Sequence, residues 1–400
     1  MGNGSAREKG IIYGAGRRNV AACAGKGCKI RSECPGKRFC AGGGEDLSGK
    51  KILFTSNLGS MKKSIALIYG GNSEEAGISI KSGQNVAGCI CRERYDVYEV
   101  LLRGVNWRVL NPAGEPVEES VALECLANPS GVGVEVDKSD FSFQWNGRKV
   151  KFDMAFIMIH GTPGENGLLQ GYLEMMGVPY NTCSAYVSAI TFDKHSCKRF
   201  IEHAGIKMAK DVFIRRGSSY NAEEIVEQLG LPLFVKPTNG GSSFGITKVK
   251  KLEDLVPAIE LVFREYDSVI IEESIVGREL TNGIYPKGDA LVKLPVTEIV
   301  TTREFFDYEA KYLGESQEIC PAHIPDDLTR RIQDTTEQIY RYMGCSGLVR
   351  MDYIVKGEDI YFLETNTVPG MTAMSLVPAQ VRAAGISMEE FVNTLIDNIR

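Results

Sequence analysis

The sequence predicts an α/β domain followed by an α+β unit, and three observations carry that expectation. Continuous apolar runs alternate with helical stretches after residue 62, a Gly/Ser-rich loop joins two strands near the middle, and same-face polar pairs interrupt two apolar strands near the end. Continuous apolar strands joined by crossovers imply a parallel sheet covered on both faces.

The elements follow in order. "SIALIYGG" is an apolar strand closed by two glycines, and "NSEEAGISIKSGQNVAGCI" is a helix that Asn72 or Ser73 can cap, with early acids that suit its dipole. "DVYEVLL" and "MAFIMIHG" are further strands, which extends the α/β domain over residues 61–182. Next, "SAITFDKHSCKRFIEHAG" reads as a helix, "PLFVKP" and "GITKV" as strands, "LEDLVPAIELVFREY" as an amphipathic helix and "SVIIEES" as a strand, a compact α+β unit over 183–273. Residues 274–400 hold "GLVRMDYIV" and "FLETNTVPGMT".

Composition narrows the function. With 43% hydrophobic and 24% charged residues the chain has an ordinary globular make-up. A net charge of -5 does not suggest a nucleic-acid partner. No apolar run approaches the roughly 18 residues a membrane span needs. The expectation is a soluble protein of a reducing cytoplasm, because seven cysteines beyond residue 60 stand singly and make an odd number for a disulfide framework. Residues 1–60 differ: they hold 13 of the 43 glycines, 4 of the 11 cysteines, and 11 Lys/Arg against 4 Asp/Glu. They show no apolar period, no secretory apolar region and no myristoylation pattern, since Ala6 stands where Ser or Thr is wanted. The gaps between Cys23, Cys28, Cys34 and Cys40 are not those of zinc knuckles. This stretch reads as a disordered or adventitious leader, with Met61 as the natural start of the folded part.

Four stretches carry chemistry. In "FVKPTNGGSSFGITKV" backbone N–H groups can cradle phosphate oxygens with Lys236 at the base; a plain hairpin with a flexible tip is the other reading. A Walker loop is excluded, for there is no G-K-[ST] and no helix opens there. In "VIIEESIVGREL", Glu272 and Glu273 face opposite ways, so only one points into a given cleft, and Glu279 follows seven residues later. A purine amino group and a ribose hydroxyl both need such acceptors. In "GLVRMDYIV", Arg350 and Asp352 share a face, as do Glu364 and Asn366 in "FLETNTVPGMT". Charges inside apolar strands are paired or metal-bound. Either Arg350 pairs with Asp352 or Glu364, or the oxygens of Asp352, Glu364 and Asn366 serve magnesium.

Together these residues resemble a family. The order Lys194, Lys236, Gly/Ser loop, Glu272, Glu279, Lys311, Arg350, Asp352, Glu364, Asn366 is similar to that of ATP-grasp ligases. The motifs "YGGNSEE", "HGTPGENGLLQGYLEMMGVPY", "KPTNGGSSFG", "FDYEAKY", "RMDYI" and "LETNTVPGMTAMSLVP" resemble the D-alanine–D-alanine ligases over residues 62–400. The resemblance implies an ATP-grasp fold with an N-terminal Rossmann-like parallel-sheet domain (61–182), a central small subdomain (183–273) and a C-terminal subdomain with the metal and oxyanion site (274–400). It implies ligation of two D-alanines through a D-alanyl phosphate, with ATP and two magnesium ions, manganese being an alternative. A homodimer in a bacterial cytoplasm, with no nucleic-acid or membrane partner, is the matching expectation.

Residue by residue, the resemblance puts Lys194, Lys236, Ser243 and Lys311 with ATP, Glu272 and Glu279 on adenine and ribose, and Ser274 and Ile275 in the linking segment. Asp352, Glu364 and Asn366 match metal ligands; Arg350 and the Gly370 N–H match the oxyanion donors. Glu75, linked in the family to Ser242 and Tyr312, matches the acid that receives the first ammonium. By the residues alone Glu75 is a helix N-terminal acid and His160 structural; the motif gives His160 and Glu165 active-site places. Ser375 and Leu376 border the second amino-acid site, as does Lys311 the substrate. Relatives that use D-lactate replace the tyrosine, so Tyr312 favours an amine nucleophile without excluding D-serine. "TTREFFDYEAKYLGESQEICPAH" is expected to be a lid that keeps water from the acyl phosphate. Gly77, where the family commonly carries charge, and Phe244, where it is smaller, are departures. A non-catalytic nucleotide-binding regulator would lack the metal and oxyanion residues, and a dinucleotide oxidoreductase would need G-x-G-x-x-G, which "GGNSEE" lacks.

Overall fold

The computed structural model describes residues 44–45, 51–52, 62–129, 131–240, 245–301 and 316–399. The chain divides into two units, Met1–Ser60 and Met61–Arg400. In the first, Gly44–Glu45 and Lys51–Ile52 pair antiparallel. Among its described residues the second is built on three larger sheets and a separate two-stranded hairpin.

The first stretch runs β1 (Lys63–Gly70), α1 (Ala76–Ala87), β2 (Tyr95–Arg103), β3 (Asn106–Val109), α2 (Glu119–Ala127), β4 (Val134–Glu135), the hairpin β5 (Ser142–Trp145) and β6 (Arg148–Lys151), β7 (Met154–Ile157) and α3 (Leu168–Met176). Its main sheet has the order β4-β3-β2-β1-β7. The expected parallel sheet is parallel only at β2-β1-β7; β3 and β4 return antiparallel. The two residues between Arg103 and Asn106 cannot form a crossover, which takes about a dozen, so the chain folds back. Ile65 to Tyr69 in central β1 are completely buried, as a strand covered on both faces requires. The cap of α1 also departs from expectation. Glu75 occupies the N-cap position without a side-chain cap bond, while the Ser73 hydroxyl accepts from the Glu75 N–H (3.3 Å).

Next come α4 (Ala185–Phe192), α5 (Lys194–Ile201), β8 (Lys207–Met208), β9 (Asp211–Arg215), α6 (Ala222–Leu229), β10 (Leu233–Pro237), β11 (Thr247–Val249), α7 (Leu255–Phe263) and β12 (Ser268–Glu273). The single helix expected over 188–205 breaks at Asp193, which leaves helical geometry (φ -90, ψ 108) so that its carboxylate can accept the Ser196 N–H (2.7 Å) and cap α5. Strands β9-β12-β10-β11 form an antiparallel sheet covered by the buried Leu255, Ile259 and Val262 of α7.

The last stretch holds β13 (Arg278–Lys287), β14 (Ala290–Lys293), β15 (Thr297–Thr301), β16 (Ser316–Ile319), α8 (Asp326–Met343), β17 (Val349–Lys356), β18 (Asp359–Asn366), α9 (Leu376–Ala383) and α10 (Met388–Asp397). Its sheet runs β8-β18-β17-β13-β15-β16, with β14 hairpinned on β13. Strand β8 pairs parallel with Tyr361–Phe362, so a piece of the middle stretch is built into the third sheet. The last helices turn back to the first sheet: Phe391, Val392, Leu395 and Ile396 of α10 join its apolar core. Each such side chain contributes about 1.5–3 kcal/mol on burial, against at most about 1 kcal/mol for the half-exposed Arg94–Asp397 pair beside them. Apolar packing therefore fixes α10 to the core of the first sheet.

Candidate active site

The first wall is built from α5, β10 and β12. The break at Asp193 puts Lys194 at the start of α5, where its ammonium donates to Gly240 O of the Gly/Ser loop (3.0 Å) and stands 3.7 Å from Glu364. Lys236 and Glu272 lie on adjacent strands and form an ion pair. Burial opposes the Glu272 charge, but Lys236 and Lys198 outweigh it and hold the carboxyl down to about 2. Burial likewise opposes the Lys236 charge, and Glu272, Glu364 and Glu279 outweigh it, raising its pKa. Of the two adjacent acids, Glu272 faces this cluster, whereas Glu273 accepts from the Lys210 N–H (2.8 Å). Ser274 and Ile275 are half-buried in the connection to β13.

The second wall is one face of β17 and β18. Arg350 pairs in register with Asn366, and Asp352 with Glu364, so all four polar side chains share that face. Arg350 forks onto Asp352, Nε to Oδ1 (2.9 Å) and Nη2 to Oδ2 (2.8 Å). Asp352 also accepts from Thr281 (2.5 Å) and from Asn366 Nδ2 (3.1 Å). Glu279 lies on the face of β13 that carries Thr281.

The third wall comes from the turns after β1 and β7. His160 Nδ1 bonds Val368 O (2.8 Å), and because a carbonyl only accepts, that nitrogen carries the proton. Nε2 then accepts from Ser82 (3.0 Å), whose oxygen takes the Met371 N–H (3.2 Å). Burial holds the imidazole pKa below its usual value, with Glu75 opposing. Glu165 accepts the N–H groups of Gly161 (2.8 Å) and Val368 (3.2 Å). Burial, then Glu75, push its carboxyl up to about 7. Asn85 donates to Met371 O (2.7 Å). The chain after β18 is thus clamped to α1 and to the turn after β7, which explains its break at Pro369-Gly370. A Cβ on Gly370 would stand 2.9 Å from the Ser375 hydroxyl, itself bonded to Thr372 (2.8 Å).

Between the second and third walls lies a cleft of about 630 Å³. Glu75, His160, Glu165, Arg350, Asn366, Gly370, Ser375 and Leu376 all line it. Ser242, Ser243, Phe244, Lys311, Tyr312 and most of the expected lid lie outside the described residues.

Two family models match this chain, described as the D-ala D-ala ligase N-terminus over residues 64–183 and the D-ala D-ala ligase C-terminus over 200–397. Among curated relatives, a D-alanine–D-alanine ligase from Phocaeicola vulgatus is 46% identical over 339 residues, 84% of this chain and 99% of its own length. The chain belongs to the D-alanine–D-alanine ligase family. A second relative of that name, from Bacteroides fragilis, is 44% identical over the same shares. Among solved structures this ligase is similar to the VanG D-Ala:D-Ser ligase from Enterococcus faecalis (34% identity, TM-score 0.73, covering 84% of this chain and 99% of that one). It is also similar to a D-alanine–D-alanine ligase from Bacillus anthracis complexed with ATP (26% identity, TM-score 0.64, covering 84% and 97%). The mixed parallel and antiparallel sheets match the ATP-grasp architecture of these neighbours.

Several residues of this ligase's site escaped the sequence reading. Ser79 and Ser82 are completely buried on α1; Ser79 bridges Gly70 N and Met158 O, holding β1 to β7. Their spacing of three on an apolar face was the available signal. Glu318 and Lys81 also line the cleft. Lys198, four residues after Lys194 and beside Cys197 and Ile201 on the buried face of α5, was visible only as a charge in an apolar stripe. Gly77, a departure from the family, meets open space at its Cβ position, so no close contact there demands glycine.

Proposed function

We propose that the protein joins two molecules of D-alanine, using ATP, through a D-alanyl phosphate intermediate, and so supplies a dipeptide for peptidoglycan. The observation that carries the reading is the convergence of a lysine pair, an Arg-carboxylate-amide face and the Glu75/His160/Glu165 cluster in a chain of this family. A carboxylate is a poor electrophile, and phosphorylation makes it reactive. Lys194 and Lys236 would hold the ATP phosphates, with Glu272 and Glu279 accepting from adenine and ribose. Glu75 would receive the first ammonium. Arg350 and the Gly370 N–H would meet the tetrahedral oxyanion, and Ser375 and Leu376 would border the second substrate. Ser242 and Tyr312 complete the catalytic expectation.

Two carboxylates and one amide oxygen suit magnesium better than a softer metal. Among the described residues no group of three or more His, Cys, Asp or Glu is placed to hold a metal ion, so magnesium at this set would need nucleotide phosphates and water to complete its shell. Asp352, Glu364 and Asn366 would hold it, where it neutralises charge during phosphoryl transfer.

A D-serine second substrate is the rival, favoured by the likeness to the D-Ala:D-Ser ligase. Phosphate release from ATP and magnesium should be compared with D-alanine, L-alanine, D-alanine plus D-lactate and D-alanine plus D-serine, with product masses read in parallel. D-alanine-dependent release with D-alanyl-D-alanine as main product supports the proposal; D-alanyl-D-serine as main product supports the rival, and ATP binding without turnover defeats both. A homodimer and a cytoplasmic site remain part of the proposal. No described helix is long and apolar enough to cross a membrane, and sedimentation tests the homodimer.

A further inference from the structure

Lys198 has no role in the reaction as set out above, yet its side chain is only 2% exposed. Its three ammonium protons meet three acceptors: Ala209 O (2.7 Å), Glu272 Oε1 (2.6 Å) and Asp211 Oδ2 (2.9 Å). A methionine would fill the same space without the cost of desolvating a charge. The ammonium must therefore do something that volume does not.

The neighbouring charges show what. Asp211 of β9 also binds Arg199 (2.9 Å), and His195 lies 3.7 Å from its other oxygen. The second oxygen of Glu272 pairs with Lys236 of β10, on which Glu364 of β18 and Glu279 of β13 also act. Lys236 is the group that the ATP-site reading assigns to the phosphates. Once it turns to them, Lys198 and Arg199 still balance Asp211 and Glu272, two cations against two carboxylates. Without Lys198 that buried group would carry an excess negative charge. Glu272 would then either retain Lys236 or take up a proton.

We propose that Lys198 is a positioning residue for the nucleotide: it keeps Glu272 ionised and fixed through one oxygen, frees Lys236 for the phosphates, and leaves the other oxygen to accept from the exocyclic amino group of adenine. The inference rests on the ATP-site reading. It also yields base selection, because guanine presents a carbonyl oxygen at that position and two acceptors repel.

The test is equilibrium binding of ATP and GTP with magnesium, by displacement of a fluorescent nucleotide from the full chain between pH 6 and 8. Wild type, Lys198→Met and the double variant Lys198→Met/Glu272→Gln are compared, and thermal midpoints are recorded alongside. An acceptor carboxylate whose pKa has risen into the neutral range acts above that pKa and fails as pH falls through it. Lys198→Met should therefore bind ATP about tenfold more weakly than wild type at pH 6, with recovery towards pH 8 where Glu272 has taken up the proton and none where it has retained Lys236, while wild type stays flat. The double variant has no such carboxylate and should be flat, with its preference for ATP over GTP lost. Flat, wild-type ATP binding by Lys198→Met overturns the inference. If that variant does not fold, a double variant that keeps the wild-type preference overturns it instead. No amino acid is present, so failure of ligation leaves the inference standing, whereas a wild type that binds no ATP defeats it together with the ATP-site reading.

Discussion

Arg350 shows how much one side chain can decide. Its fork on Asp352 uses two guanidinium nitrogens, so the same group is both the ion-pair partner of a buried acid and the candidate oxyanion donor. A preorganised donor of this kind is worth about 3 kcal/mol, so Arg350→Ala should lower D-alanine-dependent phosphate release roughly a hundredfold or more. Arg350→Lys should restore little, because one ammonium cannot span both carboxylate oxygens. Near-normal turnover in the alanine variant would remove Arg350 from the mechanism. Glu165 makes a pH prediction. Its carboxyl titrates near 7 in the folded chain and near 4.5 when unfolded, so the folded state binds the extra proton between those values. Stability from this group is fully present below the unfolded value and is lost as pH rises through the folded one. Between pH 5.5 and 8 that loss is about 2 kcal/mol, which Glu165→Gln should abolish. Denaturation of both proteins at the two pH values gives the difference, and parallel pH dependences would show that Glu165 does not titrate there. Arg350 with Asp352, and Glu364 with Asn366, were legible as same-face pairs by strand alternation. Ser82 was not, for its partner Met371 is 289 residues away.

At the scale of elements, local chemistry predicted well where it acted alone. The strands "SIALIYGG", "PLFVKP" and "SVIIEES" appear where their apolar runs lie. Prediction failed where a neighbour intervened: the helix expected across Asp193 is broken there, and the sheet expected to be parallel turns antiparallel at a two-residue connection. The turn between α8 and β17 shows how tightly the elements meet. Gly347 sits at φ +66, and a Cβ on it would lie 1.9 Å from Asn181 O, a backbone atom that cannot swing aside. Gly347→Ala should therefore cost about 2 kcal/mol or more, from left-handed strain plus the forced shift. Urea unfolding of the variant measures it, and a change well under 1 kcal/mol would mean that the 181–182 turn yields.

For the whole molecule, the curated relatives are matched over 98–100% of their own length by about 340 residues of this chain. A chain beginning at Met61 should therefore keep the full phosphate-release activity, and loss of activity on that truncation would give residues 1–60 a part in the reaction. The sequence by itself determined the order of the elements, the alternation that puts Arg350 with Asp352 and Glu364 with Asn366 on common faces, and the motifs by which the family is known, because all of these are local. Only the tertiary structure decided which acid of the Glu272/Glu273 pair faces the lysines, that Lys198 stands behind it, and that the Pro369-Gly370 segment is clamped to α1 by Asn85 and to the turn after β7 by His160 and Glu165. Each of these depends on contacts between segments far apart in the chain. No periodicity records such contacts, because they form only when the apolar core of the first sheet and α10 brings those segments together.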